Sequence, residues 1–206
     1  MLENIHWLGH DSFRIDGKTT IYLDPWNLRA GAPKADLILI THDHHDHCSP
    51  DDVAKISKEG TVVVTIAAAA RQLKGDVHAV KAGDSLTVGD ISIEVVPAYN
   101  VNKHFHPQSA GHVGFIFTVA DKRIYHAGDT DVIPEMDSIQ ADIALLPVSG
   151  KYVMTADEAV QAAQKINPRV AIPMHYGAGV AGSIKDAKRF RDLLQGKVKV
   201  VILPQE

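Results

Sequence analysis

The chain has 206 residues, 45% of them hydrophobic and 22% charged, proportions that exclude a disordered, collagen-like or coiled-coil protein. At roughly 100 to 200 residues per domain, this length predicts one domain over residues 1–206 with a substantial core. The formal charge of −4, from 21 basic and 25 acidic residues, comes without a like-charge block, which argues against a general grip on nucleic acid or a membrane surface.

The start, Met1 to Trp7, has no basic stretch followed by an apolar one, and no later run reaches the 18 or so apolar residues a membrane span needs. A cytoplasmic location is expected, and a lone Cys48, unable to pair internally, fits a reducing compartment. Short β-rich runs follow at Ile5 to Leu8, Ser12 to Ile15 and Thr19 to Asp24, the last two separated by Asp16-Gly17, and read as an antiparallel meander. Asp36 to Thr41 is a continuous apolar run, the pattern of a strand buried on both faces, and it leads straight into a histidine cluster.

Ser49-Pro50-Asp51-Asp52 carries a capping serine, an N1 proline and an acid three residues on, predicting a helix from about Pro50 to Lys58. A strand at Thr61 to Thr65, an alanine-rich helix at Ile66 to Leu73 and strands at Val77 to Lys81, Ser85 to Val88 and Ile91 to Val96 follow. Pro97 to Gly111 lacks periodicity, and a long loop in a compact chain is usually functional. The second half repeats the scheme, with strands at His112 to Val119, Arg123 to His126 and Asp142 to Pro147. Thr155-Ala-Asp-Glu158 and Ser183-Ile-Lys-Asp186 open helices as capping boxes, followed by strands at Arg169 to Met174 and Val198 to Leu203. Two halves of similar order predict two packed sheets with helices outside, an α/β fold built as a four-layer αββα sandwich.

Histidine is the compositional outlier: there are 12, four of them within the six residues His42 to His47. Neutral imidazole nitrogen and carboxylate oxygen are the donors that borderline divalent ions such as zinc accept, and alternate residues leaving a strand end can converge on one ion. Further His and Asp residues fall at other strand ends, which favours a metal centre over a merely solvated turn.

The segment His42-x-His44-x-Asp46-His47 resembles the signature of the metallo-β-lactamase superfamily, and the resemblance covers nearly the whole chain. It implies that His42 and His44 bind a first metal, that Asp46 and His47 bind a second, and that Asp24 orients the histidine loop. Ala127-Gly128-Asp129-Thr130 looks like the family's Gly-Asp motif, making Asp129 the carboxylate that bridges both metals. Pro173-Met174-His175-Tyr176-Gly177 resembles its last ligand motif, so His175 completes the second site. One departure stands out: the family usually presents a first-site histidine directly after Pro-Ala, and here Pro97-Ala98 is followed by Tyr99-Asn100. His106, stiffened by the proline after it, is the preferred substitute, with His104 and Asn100 as alternatives. Leu8-Gly9-His10-Asp11-Ser12 and Asp24-Pro25-Trp26 resemble the branch that contains L-ascorbate-6-phosphate lactonase. His10 is open between facing the site and capping its strand. Val148-Ser149-Gly150-Lys151-Tyr152 follows a buried strand and either shapes the pocket or is a plain surface loop.

The resemblance implies a metal-dependent hydrolase in which two divalent ions share a water, lower its pKa from 15.7 toward about 7 and present hydroxide to a carbonyl or phosphorus. Zinc leads as the metal, with manganese or iron compatible with the donor set. The catalytic set is expected to be Asp46, Asp129 and His126, with His126 or Tyr176 as proton donor and a buried, hydrogen-bonded His126 as the alternative. The expected substrate is a small anionic ester, lactone or phosphodiester, and a homo-oligomer is compatible with the sequence. The rival readings are a nuclease or RNA phosphodiesterase, and a non-catalytic metal-binding or ligand-sensing module.

Overall fold

A computed structural model describes residues 1–206. In chain order the elements are β1 (Ile5–Gly9), β2 (Ser12–Ile15), β3 (Ile21–Leu23), β4 (Leu37–Ile40), α1 (Pro50–Ile56), β5 (Val62–Ile66), α2 (Ala67–Ala70) and β6 (Asp76–Val80). Then come β7 (Ser85–Val88), β8 (Ile91–Pro97), β9 (Val113–Val119), β10 (Lys122–His126), β11 (Ile143–Pro147), α3 (Ala156–Ile166), β12 (Val170–Met174), α4 (Ile184–Leu193) and β13 (Lys199–Val200). Local chemistry sets several boundaries. The Ser49 side chain caps α1 by accepting from Asp52 N, and Thr155/Glu158 and Ser183/Asp186 form reciprocal capping boxes at α3 and α4. Helix α1 stops at Ile56 because Ser57 turns extended and its hydroxyl donates to the Val53 carbonyl (2.7 Å). The alanine-rich stretch forms a single turn, Ala67–Ala70, rather than the longer helix its composition predicts.

The strands form two sheets, β1 to β6 in sequence order and β13 to β7 in reverse order. Each begins as an antiparallel meander (β1–β3, β7–β10) and continues parallel (β3–β6, β10–β13). The sheet boundary falls between β6 and β7, so Ser85 to Val96, grouped by sequence with the first half, opens the second sheet. The reason is packing: Ile91, Ile93 and Val95 form one buried face of β8 and pair along β9, with Ile93 opposite Phe117 and Val95 opposite Phe115. A core of 52 buried residues lies between and around the sheets, α3 packs on β11 and α4 on β12 and β13, in agreement with the αββα sandwich.

This topology aims the chain's polar residues. Strands β1, β3, β4, β8, β10, β11 and β12 run toward one rim, and the residues just past their ends include His10, Asp24, His42, Asn100, Asp129, Ser149 and His175. Two backbone hydrogen bonds tie the sheets together there: His175 N donates to the His10 carbonyl (3.1 Å) and Val113 N to the Thr41 carbonyl (3.2 Å).

Candidate metal centre

Backbone conformation at the rim is unusual where the site is built. His10 (φ 53), Asp24 (φ 40) and His175 (φ 60) all occupy the left-handed region, a costly conformation for a non-glycine residue that clusters at functional sites. Gly128 (φ 62) precedes Asp129, and a Cβ there would lie 3.0 Å from both the Thr41 side chain and the Val113 carbonyl oxygen. Only glycine lets this turn pass close enough to bring Asp129 beside the histidine loop.

Two donor groups result. In the first, His44 Nδ1 lies 3.1 Å from His42 Nε2 and 3.3 Å from His106 Nε2. Thr41 Oγ1 gives its own proton to Asp24 Oδ2 (2.7 Å), so it accepts from His42 Nδ1–H (3.0 Å), and Asn100 Oδ1 accepts from His106 Nδ1–H (3.2 Å). Both Nε2 atoms therefore carry lone pairs aimed at His44. Lone pairs converging this closely require a proton or a cation between them, so these residues fit a metal ion.

The second group centres on Asp129. Its Oδ1 is 3.4 Å from His47 Nε2, both atoms buried without a hydrogen-bond partner, and its Oδ2 is 3.2 Å from His175 Nε2 and 3.1 Å from His106 Nε2. Asp46 Oδ2 is 4.0 Å from His47 Nε2 and accepts from His10 Nε2 (3.1 Å). His47 Nδ1–H donates to Asp24 Oδ2 (2.9 Å), and His175 Nδ1 meets Ser149 Oγ (2.8 Å). These contacts fix the ring directions and leave Nε2 facing inward, as supporting residues do around metal sites.

Electrostatics divides the groups. Burial pushes His42 and His44 below the ordinary imidazole value, assisted by neighbouring histidines. Burial also opposes charge on His47, His175 and Asp129, but here their mutual attraction, with Asp24 and Asp11, prevails: the two imidazoles are held up and the carboxyl well down. Asp46 is likewise held down against burial by His10 and His47.

All seven expected ligands meet at this rim. Asn100 points its oxygen at His106 rather than at the other donors, and His104 lies exposed outside both groups. His126 does not line the cavity: it is fully buried and its Nε2 lies 3.0 Å from the Asp11 carbonyl, the hydrogen-bonded alternative. Tyr176 is also turned inward, its ring tilted 30° against that of Trp7 at 4.7 Å, with its hydroxyl buried and pushed up to about 12 by desolvation. Cys48 is buried, its thiol likewise pushed to about 12.

Sequence reading overlooked His112, which stacks on His42 at 4.7 Å and is pushed by burial to about 4. It sits immediately before β9, where the antiparallel pairing of Val113 with Pro97 and the bond from Ala98 N to its carbonyl (3.1 Å) place it at the rim, and the inter-sheet bond from Val113 sets it beside the histidine loop. The cavity at this centre, about 290 Å³, is lined by His44, His45, Asp46, Phe105, His106, Asp129, Tyr152, His175 and Val180.

The fold and this histidine–carboxylate centre define a member of the metallo-β-lactamase superfamily, to which the chain belongs: the family model described as a beta-lactamase superfamily domain matches residues 4–175. Among its relatives are the UPF0173 metal-dependent hydrolases of Archaeoglobus fulgidus (36% identity over 97% of this chain and 95% of that one) and Caldivirga maquilingensis (34% over 93% and 89%). A crystal structure from Parabacteroides distasonis superposes with a TM-score of 0.86 at 33% identity, covering 98% of this chain and 93% of that one. Within the superfamily these relatives place the chain in the UPF0173 family of metal-dependent hydrolases. No helix is long and apolar enough to cross a membrane.

Proposed function

We propose that this hydrolase is a single domain with a dinuclear centre, His42, His44 and His106 holding one divalent ion and Asp46, His47 and His175 the other, with Asp129 shared. One observation carries the reading: Asp129 Oδ2 lies within 3.2 Å of a histidine from each group, His106 and His175, and a carboxylate is the side chain that can serve two cations at once. Divalent ions held by these residues would supply Lewis acidity, lowering the pKa of a water toward about 7 and offsetting negative charge that develops on the substrate. Zinc is the first expectation from a nitrogen-rich set, with manganese and iron compatible.

The chain's own residues do the positioning. Asp24, Thr41, Asn100 and Ser149 each meet the outer nitrogen of one ligand histidine, and His10 steadies Asp46. His126 supports the His10–Asp11 turn through its carbonyl, so the proton for a leaving group is better assigned to His45 or Tyr152, which line the cavity outside both donor groups. The substrate class is a small anionic ester, lactone or phosphodiester, its charge met by the ions; the cavity's size favours a small molecule over a polynucleotide. The likeness of Leu8 to Ser12 and Asp24 to Trp26 to the lactonase branch supports including lactones. A cytoplasmic setting suits the reduced, buried Cys48.

Elemental analysis of protein purified without chelator or affinity histidines tests the centre. About two ions per chain, falling toward one in His106→Ala, is the expected result. One ion or fewer in the native chain, even after reconstitution with zinc and manganese, would overturn the dinuclear reading.

A further inference from the structure

Phe105 is 49% exposed, whereas the other four phenylalanines are at most 1% exposed. Leaving a phenyl ring in water forgoes the gain of burying it, and exposed apolar side chains beside a cavity mark surfaces that are covered when occupied. Phe105 sits edge-on to the Tyr152 ring, 4.7 Å between centroids at 84°, and both line the cavity above His106, Asp129 and His175. Val180 lines the same cavity. No lysine or arginine lines the cavity; Lys151, the nearest cation along the chain, holds its amine 4.7 Å from the Tyr152 ring centroid.

The wall is built in advance. Asn100 Nδ2–H donates to the Tyr152 carbonyl (3.0 Å), its oxygen accepts from His106 N (2.9 Å), and its own N–H donates to the His106 carbonyl (2.7 Å). One side chain thus fixes the residue after Phe105 and the backbone of Tyr152 together, so the aromatic pair keeps its spacing without a ligand.

We propose that Phe105, Tyr152 and Val180 form a specificity subsite for an aryl or branched-alkyl substituent of the substrate. It lies beside the donor groups, which take the polar reacting end, and it deepens the reading of the previous subsection by assuming that this end is where the ions sit. A charged substituent in the subsite would lose its hydration against side chains that offer it no ion pair, because Lys151 lies over the Tyr152 ring and outside the cavity lining, so charge is confined to the reacting end.

The test compares phenylphosphonate with methylphosphonate, two inert anions with the same head group, by calorimetry on the zinc-reconstituted protein. Phenylphosphonate is expected to bind about tenfold more tightly, and this preference is expected to shrink to within about twofold in both Phe105→Ala and Tyr152→Ala at unchanged metal content. Equal affinities in the wild type, or a preference that survives both substitutions, would overturn the subsite. If neither phosphonate binds, the assignment of the reacting end fails instead, and neutral benzyl alcohol decides the subsite by saturation-transfer NMR. A signal lost in both variants supports it, and no signal in the wild type rejects it.

Discussion

The two donor groups are made by different means. Asp129 and His175 lie just past strand ends and His47 in the histidine loop; all three are buried and compensate one another's charge before any ion arrives. His42 and His44 belong to the same histidine loop, yet their partner His106 comes from the long segment after β8, held by Asn100 rather than by a sheet. Both halves draw on the histidine loop; the one completed from the ends of β10 and β12 is charged, and the one completed from the loop after β8 is neutral, with a geometry that depends on one amide.

Asp129→Ala removes the carboxylate common to both halves and is expected to have the largest effect. Metal content should fall to at most about one ion, and hydrolysis should drop by more than about 100-fold, beyond what loss of a supporting residue alone causes. Retention of both ions would break the comparison, since each half would then stand alone.

Removing supports separately should weaken the halves unequally. Asp24→Ala strips acceptors from Thr41 N (2.7 Å), Thr41 Oγ1 and His47 Nδ1, so the charged half, which loses a direct partner, should lose roughly 10- to 100-fold in metal affinity, the neutral half less because it is reached only through Thr41 and His42, and the fold about 2 kcal/mol from unsatisfied buried groups. Asn100→Ala should cost the neutral half about tenfold and spare the other. Chelator competition on both variants, with urea unfolding of the first, checks this; equal losses at both halves would refute it.

The smallest expected effect is on pH dependence. In the metal-free chain His47 and His175 are held above the ordinary imidazole value, so each retains a proton that an ion at Nε2 must displace, and affinity at that half should rise with pH through neutrality. His42 and His44 are held below it, are neutral at pH 7 and release nothing, so affinity at their half should vary less. Calorimetry in buffers of different ionisation enthalpy counts the protons released at each step.

The charged half was the more legible in sequence, and for a physical reason. A buried strand is a continuous apolar run, so Leu37–Ile40, Ile143–Pro147 and Val170–Met174 announce themselves, and the histidines and aspartates beyond them inherit a location. The loop from Pro97 to Gly111 has no period, so the choice among Asn100, His104 and His106 rests on residue type and on the proline after His106; the hydrogen bond from His106 to Asn100 makes these two a pair rather than competitors. His10 owes its position to a left-handed backbone, and His112 to the pairing of β9 with β8 and a bond between the sheets, none of which leaves a pattern along the chain. The sheet boundary was hidden for a similar reason: β6 and β7 are both short and largely exposed, and only the pairing of β8 with β9 assigns the later strands to the second sheet.

The uneven spacing of the donors along the chain has a consequence for the unfolded protein. His44 and His106 are 62 residues apart and Asp129 and His175 46 apart, so neither group exists until distant segments have met, whereas His42 to His47 is contiguous and remains a chelating run in the denatured chain. An ion that binds both states stabilises the native one only by the difference in its affinities. Metal should therefore raise the melting temperature by less than its native affinity alone implies.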